Sequence, residues 1–246
     1  MFWDARRRSL EAQAIEPIKA LEEMRGNTYS EDRAVPTVVA RLNEHAEYRR
    51  LFEQAFGSGT ATPDALAMAL AAFERSLTAS HAPFDRYMRG DERAMTASQL
   101  RGLRRFERIG CINCHRGPMF SDFKVHVLGV PDSPRLTATD AGTGTYAFRT
   151  APLRNLRFTA PYMHTGIFAS LEEVLGFYDD VTDRDGEDRN LNVSREQLDP
   201  LLRRLRGVDD DDEDLLAFLD ALSDDTFDRT IPARVPSGLA VGGSIR

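Results

Sequence analysis

The chain has 246 residues, 41% of them hydrophobic, which is enough for one large or two small domains with a real core. Its net charge of −7 and the lack of any Lys/Arg cluster alternating with aromatics argue against a nucleic-acid partner, and its one basic run, Arg6 to Arg8, reads as a solvated surface. No apolar run has the length of a membrane span, and the opening Met-Phe-Trp-Asp-Ala-Arg-Arg-Arg lacks the apolar continuation of a signal peptide.

Taken in chain order, the pattern predicts helices nearly throughout. Val35, Val39 and Leu42, then Leu51, Phe52 and Phe56, form a stripe that Pro36 can open and Gly57 can close. Thr62-Pro63-Asp64 reads as a cap with proline at the first helical position, followed by Leu66, Leu70, Phe73 and Leu77 on one face. The stretch TASHAPFDRYMRGDERAMTAS reads as a connector, which places a domain boundary near residue 92 and divides the chain into 1–92 and 93–246. Thr96 or Ser98 caps the next helix, with Leu100, Leu103 and Phe106 inward, and Gly110 stops it.

Both cysteines of the chain follow at once, in GCINCHRGPMF, residues 110–120. A disulfide, half of a zinc site and a covalent haem compete for them. Zinc needs four ligands; beyond Cys111, Cys114 and His115 the chain offers His45, His81, His126, His164 and scattered carboxylates, with no second CxxC. A redox CxxC is expected to open a helix near a βαβ pattern, whereas this one follows a helix and leads into loop. C-x-x-C-H fits haem c by mechanism: two thiols add across the vinyl groups while the adjacent imidazole reaches the iron from the same side.

Arg116 to about Arg157 carries no sustained period, and so long a loop in a compact domain is expected to wrap a cofactor. Ser170-Leu-Glu-Glu173 is a capping box that starts a helix with Leu171, Val174, Leu175 and Tyr178 on one face. Leu198, Leu201, Leu202 and Leu205 predict a further helix ending at Gly207. The acids from Asp209 to Asp214 then complement the dipole of a last helix carrying Leu215, Phe218, Leu219 and Leu222, a structural role rather than a metal site. The fold class expected is all-α, a cytochrome c-like domain preceded by the helical remainder of a second haem domain. A sixth iron ligand could come from Met119, Met163, His126, His164 or Tyr178, although a methionine is more often core filler and a tyrosine on an apolar face more often packing.

Three segments, GCINCHRGPMFSDFKVHVLGV, FRTAPLRNLRFTAPYMHTGIFASLEEVLGFY and the opening MFWDARRRSLEAQAIEPIKALEEM, together resemble the bacterial dihaem cytochrome c peroxidases and their MauG-like relatives, from Phe2 to about Gly243. The resemblance implies that Cys111, Cys114 and His115 attach and ligate a C-terminal electron-transfer haem. It implies Tyr178 as the sixth ligand, with Met163 as the alternative: that place is methionine in the peroxidases and tyrosine in MauG-like proteins. Trp3 resembles the tryptophan between two haems, and Gln13, Glu23 and His164 resemble the polar groups facing peroxide at the other haem, where a carboxylate shuttles the proton. Thr159 and Pro161 resemble residues that offer backbone carbonyls to calcium.

The same resemblance implies a periplasmic oxidoreductase that uses hydrogen peroxide and is served by a small cytochrome or cupredoxin, or that acts MauG-like on a protein substrate. The family's first CxxCH lies upstream of the Phe-Trp-Asp motif, one residue before which this chain begins. The expectation is therefore a longer protein with two haems c, of which this chain attaches one, with a monohaem electron-transfer cytochrome as the alternative.

Overall fold

The computed structural model describes residues 1–182, 193–228 and 230–241. They form helices and loops with a single two-stranded ribbon, in two compact units. The first unit comprises Arg7–Thr78 with Phe227 onward and Met1; the second comprises Phe2–Arg6 and Ala79–Thr226.

In the first unit, α1 (Leu10–Ala14) is capped by Ser9, whose hydroxyl accepts from the Ala12 amide. Helix α2 (Glu16–Lys19) carries Pro17 in its first turn. A kinked turn, Leu21–Arg25, follows, in which Glu23 leaves helical geometry at φ −112°, ψ −106°. Pro36 does not open the next helix. Helix α3 (Glu31–Glu44) starts five residues earlier, with Glu31 and Asp32 complementing its N-terminus, and burial of Ala34 and Val35 against Ile18 and Leu66 holds it through the proline. The predicted stripe is also split at His45, whose extended backbone separates α3 from α4 (Ala46–Phe56).

Gly57 closes α4 at φ 72°, in the left-handed region that glycine adopts freely. Thr62 caps α5 (Pro63–Ser76) by accepting from the Ala65 amide at 3.1 Å. Leu66 and Leu70 of α5 face the core formed by Ile18, Val35, Val38 and Leu42, whereas Phe73 and Leu77, expected on the same face, are exposed. A salt bridge of 3.1 Å from Arg234 to Glu47 ties the tail to α4.

The longer segment of the second unit runs from Ala79 to Thr226. The Ser80 and His81 amides donate to the buried Asp224 carboxylate at 2.9 and 2.8 Å, and the stretch read as a connector contains α6 (Pro83–Met88). Phe84 of α6 joins Phe106, Phe120 and Phe218 in a cluster of edge-on and tilted rings 5.0–6.1 Å apart. Helix α7 (Ala97–Ile109) is opened by Thr96 and Gln99 in a reciprocal capping box and stopped by Gly110 at φ 104°.

The β1 (Val125–His126) and β2 (Phe148–Arg149) strands pair antiparallel within the loop that has no sequence period. Helix α8 (Leu171–Thr182) opens with Ser170 accepting from the Glu173 amide, while Glu173 reaches back one residue further than a regular capping box, to the Ala169 amide. The helix predicted through Leu205 is a short 3-10 turn, Pro200–Arg204, capped by Asp199. Asp212 caps α9 (Glu213–Asp220) by accepting from the Leu215 amide at 2.9 Å, and Asp214 pairs with Arg101 of α7 at 2.6 Å. The α7 and α9 helices cross most closely at Gly102, which lies beneath the Asp214 carbonyl and Phe218.

Candidate functional site

Helix α7 delivers the CxxCH motif. Ile109 is buried in the core, Gly110 reverses the backbone, and Cys111–Asn113 make one 3-10 turn in which Cys111 accepts from the amides of Cys114 and His115 at 3.3 and 2.9 Å. Both cysteines are free, and with His115 they line a mostly apolar cavity of about 350 Å³. The other walls come from Leu171, Val174, Leu175 and Tyr178 of α8, from Leu215 and Leu219 of α9, and from the long loop, including Leu128, Val130 and Phe148. That loop does surround a cavity.

Burial dominates the electrostatics. It pushes the Cys111 thiol up to about 12, helped by the neighbouring Cys114, and the Cys114 thiol up to about 11, helped by Asp122 and Asp199. Burial likewise lowers His115, against the opposing effects of the Phe120 carbonyl and Asp122, and so favours neutral imidazole. Its Nδ1 lies 3.0 Å from the Phe120 carbonyl oxygen; with Nδ1–H donating there, the Nε2 lone pair is left for a metal. The motif therefore fits covalent haem: two thiols and a neutral, oriented imidazole stand at the wall of an apolar cavity.

Tyr178 is half-buried, its ring 5.4 Å from Phe177, and its hydroxyl makes no hydrogen bond among the described residues. Burial, with the two thiols nearby, holds the phenol well above its ordinary range, so phenolate here calls for a cation. Met163, at φ 63°, lines the same cavity. His126 does too, but both its nitrogens are taken: Nδ1 is 2.6 Å from Asp199 and Nε2 3.2 Å from Asp122. Met119 is exposed and lies outside the lining.

Trp3 lines the cavity as well, and its carbonyl accepts from the Arg149 amide at 2.6 Å, extending the β1–β2 ribbon. His164 stacks on Phe148 with ring centroids 3.5 Å apart; burial lowers its pKa while Asp140 and Asp132 oppose the shift. Thr159 and Pro161 also border the cavity. The grouping of three acidic ligand atoms found among the described residues is elsewhere, at the exposed Asp209, Asp210 and Asp211. Gln13, half-buried on α1, and Glu23, exposed at the kink of the Leu21–Arg25 turn, belong to the first unit. Sequence reasoning missed the Phe120 carbonyl and the Asp122–His126–Asp199 chain: a carbonyl has no residue-type signature, and the two carboxylates are 77 positions apart in sequence.

The profile of the di-haem cytochrome c peroxidase family matches residues 1–93. The chain is 34% identical to cytochrome-c peroxidase IdrP1 of Pseudomonas sp. (strain SCT), over 91% of this chain and 64% of that protein. It is 36% identical to the methylamine utilization protein MauG of Methylorubrum extorquens, over 94% of this chain and 62% of MauG. It thus spans a little under two thirds of the length of these curated relatives. Among solved structures, a MauG-like protein associated with microbial copper homeostasis superposes with a TM-score of 0.68 at 26% identity, covering 89% of this chain and 69% of that one. The diheme peroxidase BthA from Burkholderia thailandensis shares the fold with a TM-score of 0.67 at 22% identity, covering 98% of this chain and 69% of that one.

Proposed function

Because the chain belongs to the dihaem cytochrome c peroxidase and MauG family, we propose that it acts as a haem c oxidoreductase that uses hydrogen peroxide, with electrons passing through the haem attached at Cys111 and Cys114. The observation that carries this reading is the CxxCH placed at an apolar cavity with His115 Nδ1 engaged and Tyr178 lining the same wall. The haem, when bound, supplies reversible one-electron chemistry at its iron. His115 would hold the iron through Nε2, and Tyr178 would supply an oxygen donor of the kind that favours ferric iron, with Met163 as the alternative donor. Trp3 offers a π system at the cavity wall for electron or hole transfer.

Peroxide reduction consumes two electrons and two protons and yields two waters. Glu23 is assigned the proton transfer between the two peroxide oxygens, with Gln13 and His164 orienting the substrate. The electron source is a small cytochrome or cupredoxin or, in the MauG-like variant, a protein substrate that is itself oxidised. Covalent haem implies a periplasmic setting, and no helix among the described residues is long and apolar enough to cross a membrane. The carbonyls of Thr159 and Pro161 are assigned to calcium as hard oxygen donors.

A second reading, a monohaem electron-transfer cytochrome, is favoured by the single CxxCH in 246 residues. Haem content, intact mass and peroxide turnover of the protein from its native host separate the two. Two haems with peroxide consumption support the proposal. One haem without turnover leaves the electron carrier, and no covalent haem refutes both. Within the proposal, Tyr178→Phe is expected to alter the low-spin spectrum; if it does not while Met163→Leu removes that spectrum, the MauG-like ligand set is wrong.

A further inference from the structure

The loop Arg116–Phe120 is held from below by a buried cation. Arg154 donates from Nε and Nη2 to the Pro118 carbonyl at 2.8 and 2.5 Å, and Nη2 also pairs with Asp85 Oδ1 at 2.9 Å. The two side chains are 10% and 13% exposed, so water does little to loosen the pair. The guanidinium carbon lies 5.6 Å from the Phe84 ring centroid and 5.3 Å from that of Phe120. Its Nη1 is buried without a hydrogen-bond partner. The Leu153 amide, next in the chain, donates to the Met119 carbonyl at 3.2 Å. The contacts to the Pro118 carbonyl, the Met119 carbonyl and the Phe120 ring bear on the three residues that end in the Phe120 carbonyl, the acceptor for His115 Nδ1–H, while Asp85 and Phe84 hold the guanidinium itself.

We propose that Arg154, held by Asp85, is a positioning residue for the proximal ligand: it fixes the Phe120 carbonyl against His115 and thereby sets the electron donation of the imidazole to iron. The proposal rests on the reading of His115 as haem ligand. A carbonyl pulling on Nδ1–H makes the imidazole more basic and stabilises ferric iron, which lowers the reduction potential. Releasing the loop weakens that pull and raises the potential. The direct charge effect has the opposite sign, because removing a cation near the haem favours the more positive ferric state and lowers the potential.

Arg154→Lys separates these effects, since it keeps the charge and loses the planar fork that grips Pro118. In spectroelectrochemical titration of the haem-loaded protein, the variant is expected to shift the ferric-to-ferrous ratio at a fixed applied potential toward ferrous by about three- to tenfold, tenfold being about 59 mV for one electron. Asp85→Glu also keeps its charge and can still cap α6, where Asp85 accepts from the Ala82 amide at 3.1 Å. It is expected to give a smaller shift of the same sign, and it carries the test if the lysine variant does not fold. A lowered melting temperature with an unshifted potential shows a merely structural Arg154 and overturns the proposal, as does a fall in potential. Wild-type protein without covalent haem overturns the ligand reading itself and this proposal with it.

Discussion

Replacing Gly102 by alanine tests whether the α7–α9 crossing sets the shape of the haem-bearing unit. A Cβ at Gly102 would stand 1.8 Å from the Asp214 carbonyl oxygen, 2.7 Å from its carbon and 2.7 Å from Phe218 Cβ, where ordinary contact begins at 3.4 Å. The obstacle is helix backbone, so the two axes must part by roughly 1.5 Å. Alanine gains about 1 kcal/mol of helix propensity over glycine. Against this stands an overpacking cost of roughly 3 kcal/mol, at the upper end of the usual range because no side chain can swing away, and parting the helices also loosens Leu215, Phe218 and Leu219 from the core. The net expectation is a loss of about 2 kcal/mol, which for a chain of this size lowers the melting temperature by roughly 4–8 °C. Thermal melting followed by far-ultraviolet circular dichroism on Gly102→Ala and wild type measures it. Covalent haem content is expected to fall alongside, since Leu215 and Leu219 line the cavity. An unchanged or higher melting temperature would mean that the propensity gain is unopposed and the close crossing is not real.

Three further expectations concern ionisable groups. In the haem-free chain, with thiols at about 11 and about 12, the thiolate fraction at pH 8 is on the order of 10⁻³ for Cys114 and 10⁻⁴ for Cys111. Iodoacetamide labelling followed by mass spectrometry should therefore be slow at pH 8 and rise through pH 10, with Cys114 first; rapid labelling of either at pH 7 contradicts their burial. Burial raises the Asp224 carboxyl, but the Thr226 hydroxyl and the His81, Thr226 and Ser80 amides outweigh it and hold it at about 2. The folded value lies below the unfolded one, so about 2 kcal/mol of stability is present above pH 4 and is lost as pH falls toward 2. Asp224→Asn should lower the urea midpoint at pH 7 and differ little from wild type near pH 2; an equal deficit at both refutes the assignment. Finally, His126→Asn removes the hydrogen-bond partner that Asp122 and Asp199 share and is expected to cost about 1–3 kcal/mol by urea denaturation; an unchanged midpoint refutes the bridging role.

Local signals in the sequence were readable where chemistry acts within one turn. Thr62, Thr96 (one of two candidates beside Ser98), Gly57 and Gly110 mark helix ends because a hydroxyl or a positive φ acts on backbone a few residues away. The CxxCH and the α8 face ending in Tyr178 were readable for the same reason, and all of these residues line one cavity. Long-range partners decided the rest. Pro36 stays inside a helix because Ala34 and Val35 are buried, and Ala79–Met88 folds because Asp224, far along the chain, collects its amides. Leu198–Leu205 has helical apolar spacing, yet Pro200–Arg204 is only a 3-10 turn, anchored by Asp199, whose amide donates to the Val127 carbonyl and whose carboxylate meets His126. The residues around His115 were invisible because Phe120 and Pro118 contribute backbone carbonyls, and Arg154, which grips Pro118 and is held by Asp85, lies 36 positions along the chain from it.

The chain passes between its two units at Met1/Phe2, Arg6/Arg7, Thr78/Ala79 and Thr226/Phe227, so neither unit is an uninterrupted length of polypeptide. This orders the points at which each unit has all its segments. As the chain emerges during synthesis, the unit with the CxxCH has all its residues once Thr226 is out. The unit containing α1 to α5, although made earlier, gains the residues after Phe227, among them Arg234, the partner of Glu47, only later. The later-encoded body can therefore close first, and thiol attachment can proceed while the earlier one still lacks its final strap. A fragment cut at residue 93 would capture neither body whole.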